Sequence, residues 1–322
     1  MGRSSKTENT DIRHSNYSFI RAGDVVGKIL NEIKNVGNDK DDVNALTTGY
    51  EKLDELIGGF RPGELIVIAS RPYMGKTNFA LNIVHDQAII NKKKIAFISF
   101  AERKEDVLKR LLAMDSYIDT GSLRTGNLRE PEWDELNRSA DKIGKSGLIL
   151  YDDPEIDSKD LCNTCRDLKS EYGIEGLVID YIQLMLGNGV EETDHRHCLK
   201  LLRMLKRTAE ESEIPIVILS QLSRNVDGRP DKRPMLTDFI EGSVIADIAD
   251  TVLFIYRDDY YHPDAVNKNI AQIIIAKHRE GKVGSIYLGW RPEFLRYLSI
   301  DEDDIDISDN PYMDIDEELS FV

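Results

Sequence analysis

The stretch ELIVIASRPYMGKTNFALNI, residues 64–83, decides the fold of this chain. Its apolar residues 65–69 predict a buried strand, and residues 77–90 have the spacing of an amphipathic helix. The turn between them, SRPYMGKT, follows the phosphate-binding pattern G-x-x-x-x-G-K-S/T, with Ser70 in place of the first glycine. A strand that runs through such a turn into a helix predicts a P-loop nucleotide site.

Each residue type in this turn has a physical role in binding phosphate. Gly75 lets the backbone curl around an anion, and the N–H groups at the start of the helix point toward that anion. We expect Lys76 to contact the β- and γ-phosphates and Thr77 to bind Mg²⁺. Ser70 and Arg71 complete the predicted nucleotide-binding set. The alternative, a chance Gly-Lys-Thr in a turn, is disfavoured by the strand and helix on either side.

Three other segments place polar residues at the ends of apolar strands. LVIDY (177–181) contains Asp180, which fits the carboxylate that holds Mg²⁺ through water. SQLSR (220–224) contains Gln221, which fits a γ-phosphate sensor. In IIIAKHREGKVG (273–284), Lys277 and Arg279 are two residues apart and so share one face of a strand, where they fit a phosphate clamp for a neighbouring subunit. Each has a purely structural alternative: Asp180 could cap the next element, Gln221 could be a hydrogen-bonded strand end, and Lys277 with Arg279 could form an exposed basic edge.

Strand and helix patterns alternate from Thr47 to Ile300, which predicts an α/β fold with a mostly parallel twisted sheet and helices on both faces. The predicted strands are 65–70, 94–100, 148–151, 177–181, 214–220, 251–257 and 270–277, and the predicted helices are 77–90, 103–114, 158–172 and 198–212. For the domains, we expect a disordered N-terminus (1–18), a linker helix and linker (19–45), an ATPase domain (46–300) and an acidic disordered tail (301–322).

Composition limits the classes of protein. The net charge of −16 lowers the expectation of nucleic-acid binding, but residues 301–322 alone contain ten acids and no Lys or Arg, so a local basic surface remains compatible with DNA. Three cysteines are too few for a disulfide framework. Cys162 and Cys165 lie three residues apart on a predicted amphipathic helix, a spacing that favours core packing over zinc. No apolar run approaches the roughly 20 residues of a membrane span. We expect a cytoplasmic protein with no membrane contact.

Seven segments, taken in order, resemble the RecA-like C-terminal domain of DnaB-family replicative helicases over residues 46–300. That resemblance implies a RecA-like P-loop NTPase with ATP and Mg²⁺ as cofactors, assembled as a ring, in this family a hexamer, that moves along single-stranded DNA. It also implies that Lys277 and Arg279 act in trans on a neighbour's nucleotide, and that the helix at 19–35 docks on a neighbouring subunit. The segments are TTGYEKLDELIGGFRPGELIVIASRPYMGKT, LRTGNL, LVIDYIQLM, IPIVILSQLSR, DKRPMLTDFIEGS, ADTVLFIYRDDYY and IIIAKHREGKVG.

The chain departs from the family pattern in three places. The family's N-terminal collar domain, which binds primase, is expected to be absent. Ala101 stands where the family has its catalytic glutamate, and Glu102 follows one residue later. A related clock-protein ATPase family has two adjacent glutamates there, so Glu102 is the predicted catalytic carboxylate. Ile240 replaces an arginine that contacts DNA phosphate, which predicts weaker DNA binding.

Two loops are the predicted DNA contacts. RNVDGRPDKR (224–233) carries four cations in a Gly- and Pro-containing loop, which we expect to face the ring's channel; the alternative is a solvated basic loop. The family's DNA loop, here DFIEGS (238–243), adds two further contacts. The predicted DNA-binding residues are Arg224, Arg229, Lys232, Arg233, Glu241 and Gly242.

Two functional hypotheses remain open at this point. The first is an ATP-dependent replicative DNA helicase, an enzyme that hydrolyses ATP. The alternative is an ATP-binding paralogue with weak or no motor activity that loads, regulates or co-assembles with a replicative helicase. The acidic tail fits three roles: a contact for a helicase loader or other replication protein, an autoinhibitory segment that mimics phosphates in the protein's own DNA channel, or a solubilising segment.

Overall fold

The chain divides into two units, Met1–Val43 and Asn44–Val322. The computed structural model describes residues 22, 26, 27, 30, 45–152, 156–183, 192–240, 242, 244–265, 267–279 and 282–301. In the first unit the four described residues are helical, and Val26 and Leu30 are exposed. The predicted disordered N-terminus, the rest of the linker helix and linker up to residue 44, and the acidic tail after Asp301 lie outside the described residues.

A single mixed sheet organises the second unit. Its nine described strands lie in the order β3-β2-β4-β5-β1-β6-β7-β8-β9. The pairs from β3 to β6 are parallel and the pairs from β6 to β9 are antiparallel. The strands are β1 (Leu65–Ser70), β2 (Ile95–Ser99), β3 (Leu148–Tyr151), β4 (Gly176–Asp180), β5 (Ile216–Gln221), β6 (Thr251–Tyr256), β7 (Ile270–His278), β8 (Gly284–Arg291) and β9 (Arg296–Ser299).

Helices connect these strands. Two of them, α2 and α6, end in a π-helical segment, His85–Ile90 and Leu168–Tyr172 respectively. Single 3₁₀ turns lie at Arg224–Gly228 and Leu236–Asp238. The helices are α1 (Glu51–Ile57), α2 (Lys76–Val84), α3 (Lys104–Ser116), α4 (Thr120–Thr125), α5 (Glu130–Gly144), α6 (Ser158–Asp167), α7 (Glu192–Ser212), α8 (Val244–Ile248) and α9 (Asp258–Tyr261).

A hydrophobic core covers each face of the sheet, and the side chains of β1 point alternately into one core and the other. Ile66 and Ile68 pack into one core, with Phe79 of α2. Leu65, Val67 and Ala69 pack into the other, which also holds residues of α6 and α7. Central parallel strands covered by helices on both faces are apolar throughout, which is why the pattern of β1, β4 and β5 is legible from the sequence.

The predicted α/β architecture with a largely parallel sheet and helices on both faces is confirmed, and all seven predicted strands are present. The prediction missed β8 and β9, together with helices α1, α4, α5, α8 and α9. Both missed strands belong to the antiparallel edge, where buried and half-exposed residues alternate. Half-buried edge strands lack the continuous apolar run by which the central strands were identified.

Two expectations about composition can be compared with the described residues. Cys162, Cys165 and Cys198 are buried and form no disulfide, and no group of three or more potential metal ligands of the His, Cys, Asp or Glu type occurs in the described part of the chain. None of the described helices combines the length and the apolarity that crossing a membrane requires.

Candidate functional site

The parallel part of the sheet brings the predicted nucleotide-site residues to one edge. β4, β5 and β1 are neighbours, so their carboxyl ends lie side by side. In the register of these strands Ser70 lies opposite Gln221, and Asp180 lies opposite Ser99 at the end of β2. Ligands of open α/β sheets bind at this edge, where loops and helix N-termini converge.

The phosphate turn between β1 and α2 has the backbone shape its sequence demands. Gly75 has φ 98°, a left-handed conformation that costs glycine little. A Cβ at Gly75 would also collide with the hydroxyl of Tyr297, which donates a 3.2 Å hydrogen bond to the Met74 carbonyl. Tyr73 adopts φ 65° and is 87% exposed. The turn is therefore stabilised by a hydrogen bond from β9, which the sequence alone did not predict.

Lys76, Thr77 and Asp180 form the centre of the site. The Thr77 hydroxyl donates to Asp180 Oδ2 at 2.8 Å, and Lys76 Nζ lies 3.9 Å from Asp180 Oδ1 and 4.5 Å from the centre of the Tyr181 ring. Burial raises the pKa of Asp180, although Lys76 and the Thr77 hydroxyl act to lower it. Burial likewise lowers the pKa of Lys76. A phosphate beside the lysine and a cation beside the aspartate would stabilise both charged forms.

The donor atoms of this centre fit Mg²⁺. Asp180 Oδ1 is buried and accepts no hydrogen bond within the described residues. A buried carboxylate oxygen left in this way is costly unless a ligand satisfies it. Mg²⁺ prefers hard oxygen ligands and is commonly held by one or two protein oxygens together with water and phosphate. Thr77 Oγ1 and Asp180 supply that kind of set.

Glu102 is connected to the first turn of α2 through Arg110. Its N–H donates to Ser99 Oγ at 3.0 Å, and its carboxylate accepts from Arg110 Nε and Nη2 at 2.8 and 2.5 Å. Arg110 also donates to Asn78 Oδ1 at 2.8 Å, next to Thr77 in the sequence. Lys76 is close enough that Glu102 acts to raise its pKa. Ala101, in contrast, is exposed. Arg110, which the sequence analysis missed, thus fixes the predicted catalytic carboxylate near the phosphate turn.

Gln221 ends β5 between the phosphate turn and β4. Its backbone exchanges two 3.2 Å hydrogen bonds with the side chain of Gln183, and Gln183 also donates to Ser220 Oγ at 2.9 Å. Gln183 follows Asp180 in the segment DYIQ and was not among the predicted residues. It connects the loop after β4 to the end of β5, so the aspartate and the predicted sensor are held as one unit.

The side chains of Ser70 and Arg71 are hydrogen-bonded within the chain in this structure. Ser70 is fully buried, and its hydroxyl donates to the Arg71 carbonyl at 2.8 Å. The Arg71 guanidinium leaves the turn and binds the Leu222 carbonyl and the Asp227 carboxylate. Both residues were predicted to bind nucleotide from their place in the motif alone, which does not fix the direction of a side chain.

Lys277 and Arg279 lie at the opposite edge of the sheet. Because β7 is antiparallel to β6, His278 pairs with Thr251 at the start of β6. Lys277 Nζ donates to the carbonyls of Ala246 and Ala249 at 2.5 and 2.7 Å, at the end of α8. Lys277 was predicted to form a phosphate clamp with Arg279. In this structure its ammonium group is instead hydrogen-bonded to carbonyls of its own chain.

Arg279 is the more accessible of the two cations. Its side chain is 67% exposed, and Nη1 donates to Asp250 Oδ1 at 2.8 Å. Asp250 is buried and also accepts from the N–H of Leu65, at the start of β1, and from Lys206 Nζ. Arg279 is thus anchored at the amino end of β1. The phosphate turn lies at the other end of β1, which has six residues. At about 3.3 Å per residue, Arg279 lies roughly 17–20 Å from the chain's own phosphate turn.

The basic loop, residues 224–233, follows β5. Arg224 is exposed. Arg229 pairs with buried Asp238 at 2.6 Å, and Arg233 donates to Gln272 Oε1 at 2.8 Å. These two arginines, predicted to contact DNA, therefore hold the loop to the body of the domain. Their pattern as a basic run could not distinguish the two roles.

The remaining predicted DNA contacts are less constrained. Lys232 Nζ donates to the Asp227 carbonyl at 2.5 Å and lies 5.8 Å from the centre of the Tyr261 ring. Gly242 adopts φ 72° in a turn and donates to the Phe239 carbonyl at 3.1 Å. Glu241 lies outside the described residues.

Comparison with known proteins places this geometry in a family. The family model of the DnaB-like helicase C-terminal domain matches residues 45–299. The replicative DNA helicases DnaC of Bacillus subtilis (strain 168) and DnaB of Geobacillus stearothermophilus are each 37% identical to the chain over 290 residues, which cover 90% of the chain. The chain spans 64% of the length of both relatives.

Solved structures agree with this match. One solved ATPase domain has a TM-score of 0.81 and 28% identity, covering 87% of the chain and 100% of that domain. A DnaB-like replicative helicase, described with its interactions with primase, has a TM-score of 0.77 and 28% identity, covering 88% of the chain and 68% of that structure. A KaiC-like protein from Pyrococcus horikoshii OT3, at 15% identity and a TM-score of 0.55, shares the fold. The predicted RecA-like P-loop fold is confirmed.

Proposed function

The chain belongs to the DnaB-like helicase C-terminal domain family, and from this membership we propose that it is the ATP-driven motor of a replicative DNA helicase. The observation that carries the proposal is the joined set of Lys76, Thr77, Asp180 and Glu102 at the carboxyl edge of the sheet. A basic lysine, a hydroxyl–carboxylate pair and a second carboxylate nearby are the groups that hydrolysis of a nucleoside triphosphate requires.

Each residue of this set has a proposed task. Lys76 and the backbone N–H groups at the start of α2 bind the phosphates of ATP. Thr77 and, through water, Asp180 hold Mg²⁺, which supplies charge neutralisation at the phosphate oxygens. Glu102 accepts a proton from the attacking water, with Arg110 and the Ser99 hydroxyl fixing its position. Gln221 contacts the γ-phosphate as a sensor.

The position of Arg279 supports an assembly of several subunits. A side chain anchored about 17–20 Å from its own phosphate turn cannot reach the nucleotide bound there. We propose that Arg279 contacts the nucleotide of a neighbouring subunit in a ring, a hexamer by the family resemblance, and that Lys277 supports the same interface. Exposed Val26 and Leu30 on the helical residues of the first unit provide an apolar surface for a neighbouring subunit.

We propose that the protein binds single-stranded DNA and moves along it. Exposed Arg224 and partly exposed Lys232 are the proposed phosphate contacts from the basic loop, with Arg229 and Arg233 maintaining its shape. Glu241 and Gly242 belong to the proposed second DNA loop. The acidic tail remains a proposed contact for a helicase loader, which a pull-down with and without residues 301–322 would test.

The test is the ATPase rate of the purified chain with and without single-stranded DNA, together with unwinding of a forked duplex. We expect measurable hydrolysis that DNA stimulates and that Lys76→Ala abolishes, because the variant lacks the phosphate contact. Lys93→Ala is the matched control: Lys93 pairs with Glu175 on the surface, away from the site. Hydrolysis that survives Lys76→Ala would exclude this P-loop as its source.

Two departures from the family pattern favour a second function. Ala101 is exposed where the family has its catalytic glutamate, and Ile240 replaces an arginine of the DNA loop. Both changes suit an ATP-binding paralogue that loads, regulates or co-assembles with a replicative helicase. Tight ATP binding with negligible hydrolysis, with or without DNA, would favour this function over the motor.

A further inference from the structure

Arg71 connects the phosphate turn to a different part of the molecule. It follows Ser70, the first residue of the turn, yet its guanidinium points toward the end of β5. Nη1 donates to the Leu222 carbonyl at 2.8 Å, while Nε and Nη2 donate to Asp227 Oδ1 and Oδ2 at 3.2 and 2.7 Å. The side chain is only 12% exposed. Two parallel bonds from a planar guanidinium to one carboxylate fix direction as well as distance.

Asp227 belongs to the basic loop, within the 3₁₀ turn Arg224–Gly228. Its carboxylate also accepts a 3.0 Å hydrogen bond from the hydroxyl of Tyr261 on α9. Its carbonyl accepts from Lys232, one of the proposed DNA contacts. A single aspartate therefore joins the phosphate turn, the basic loop and α9.

Contacts to the body of the domain fix the rest of the basic loop. Arg229 binds Asp238 and the carbonyl of Arg233, and Arg233 lies 4.9 Å from the centre of the Tyr256 ring. Within this fixed loop, Lys232 is bonded directly to the Asp227 carbonyl, so a displacement of Lys232 would also displace Asp227. Because Arg71 is adjacent to Ser70 in the backbone, a shift of Asp227 changes the position of the phosphate turn. Misplacement of a reacting group by about 1 Å is enough to alter turnover strongly.

We propose that Asp227 is a positioning residue that couples the two ligands: through Arg71 on one side and Lys232 on the other, it makes DNA contact at the basic loop and nucleotide binding at the phosphate turn depend on each other. Tyr261 orients the carboxylate for this contact. The inference rests on the proposed function, since it requires both ligands. It assigns to Arg71 a linking role in place of phosphate binding.

Coupling between two binding sites is reciprocal, so it is measured as a ratio of affinities. The experiment measures the Kd of the full chain for a fluorescent oligothymidine with and without Mg²⁺ and adenylyl imidodiphosphate. We expect the nucleotide to change the DNA Kd of the wild type about fivefold or more, the lower end of typical coupling. Asp227→Asn keeps the size of the side chain but weakens its bonds to Arg71, and the ratio should approach one.

Asp231→Asn is the matched control. It removes the same charge from the same loop, but Asp231 contacts Arg233 and not Arg71. Loss of the ratio in Asp227→Asn with retention in Asp231→Asn supports the inference. An unchanged ratio in Asp227→Asn overturns it, and so does an equal loss in both variants, because loop charge alone would then be the cause.

A second pair of variants guards against misfolding. Tyr261→Phe removes only the hydroxyl that orients Asp227, and Tyr260→Phe is its control on the exposed neighbouring ring. The ratio should fall in the first and persist in the second; persistence in both overturns the role of Tyr261. A wild type that binds no oligothymidine would overturn the proposed function itself, whereas a coupled wild type with coupled variants removes only this inference.

Discussion

Glu102 is the residue whose role differs most between the motor and the paralogue. Arg110 holds its carboxylate within electrostatic reach of Lys76, and Ser99 Oγ accepts from its backbone N–H, whereas Ala101 is exposed. We expect Glu102→Gln to lower ATP turnover by about 10²–10⁴-fold, the usual cost of losing a positioned general base, with little change in nucleotide Kd. Single-turnover hydrolysis and equilibrium nucleotide binding measure the two effects separately.

The controls for this prediction are the neighbouring positions. Glu105→Gln removes an exposed carboxylate from the first turn of α3 and should leave turnover unchanged. Ala101→Glu should also change it little if Glu102 is the base. A near-inert wild type that Ala101→Glu revives would instead identify Glu102 as a non-catalytic residue and favour the paralogue.

Sequence patterns identified the residues of the site better than the directions of their side chains. Lys76, Thr77 and Asp180 lie together because strand order places the ends of β1 and β4 at one edge, and the order of motifs anticipates that. Arg71 and Arg229 could not be assigned in this way. A guanidinium has several rotatable bonds, and its partner, Asp227 or Asp238, comes from a loop whose path only the folded chain defines.

At the scale of elements, an ionic cluster ties α2, α3 and α5 together. Asp115 accepts from His85 at 2.8 Å and from Lys142 at 2.6 Å, and Arg296 of β9 donates to the other ring nitrogen of His85 at 3.2 Å. Burial acts to raise the pKa of Asp115, but the hydrogen bonds outweigh it and hold that pKa well below its usual range. We expect Asp115→Asn to lower the free energy of unfolding at neutral pH by about 1.5–3 kcal/mol, as for hydrogen bonds to a charged group.

The pH dependence of this difference follows from the direction of the shift. A carboxylate whose folded pKa is depressed stabilises the fold fully above the unfolded value, about 3.9 for aspartate, and loses that contribution as the pH falls below it. The difference between wild type and Asp115→Asn in denaturant unfolding should therefore be constant near neutrality and shrink below about pH 4. Asp141→Asn, from an exposed pair with Lys145, should show almost no difference. A constant difference down to about pH 3 would contradict this account.

The elements that the sequence analysis missed are those whose stability comes from distant contacts. β9 has only four residues, yet Tyr297 packs against Phe79 of α2 and Trp290 of β8. Asn82 of α2 donates to the Leu295 carbonyl and accepts from the N–H of Tyr297. Such pairings between residues far apart in the chain leave no local periodicity, whereas β1 carries its own signal in a continuous apolar run.

At the scale of the whole molecule, the two halves of the proposed active site lie at opposite edges of one sheet. Lys76 and Glu102 lie at the carboxyl edge of the parallel strands, while Arg279 is anchored through Asp250 at the amino edge. A head-to-tail ring brings such edges of successive subunits together, because each interface uses a different surface from each partner. One complete site would then form per interface, from the phosphate turn of one subunit and Arg279 of the next.

This arrangement predicts complementation between two inactive variants. Lys76→Ala removes the phosphate contact and Arg279→Ala removes the trans contact, so each alone should be nearly inactive. In an equal, randomly exchanged mixture, about a quarter of the interfaces combine an intact Lys76 with an intact Arg279 from the neighbour, and DNA-stimulated ATPase should recover toward that fraction. Mixing Lys76→Ala with Glu102→Gln is the control, because both changes damage the same half of the site and no mixed interface is complete. Recovery in the first mixture alone requires Arg279 to act between subunits; no recovery in either would place its contribution within its own subunit or away from the nucleotide.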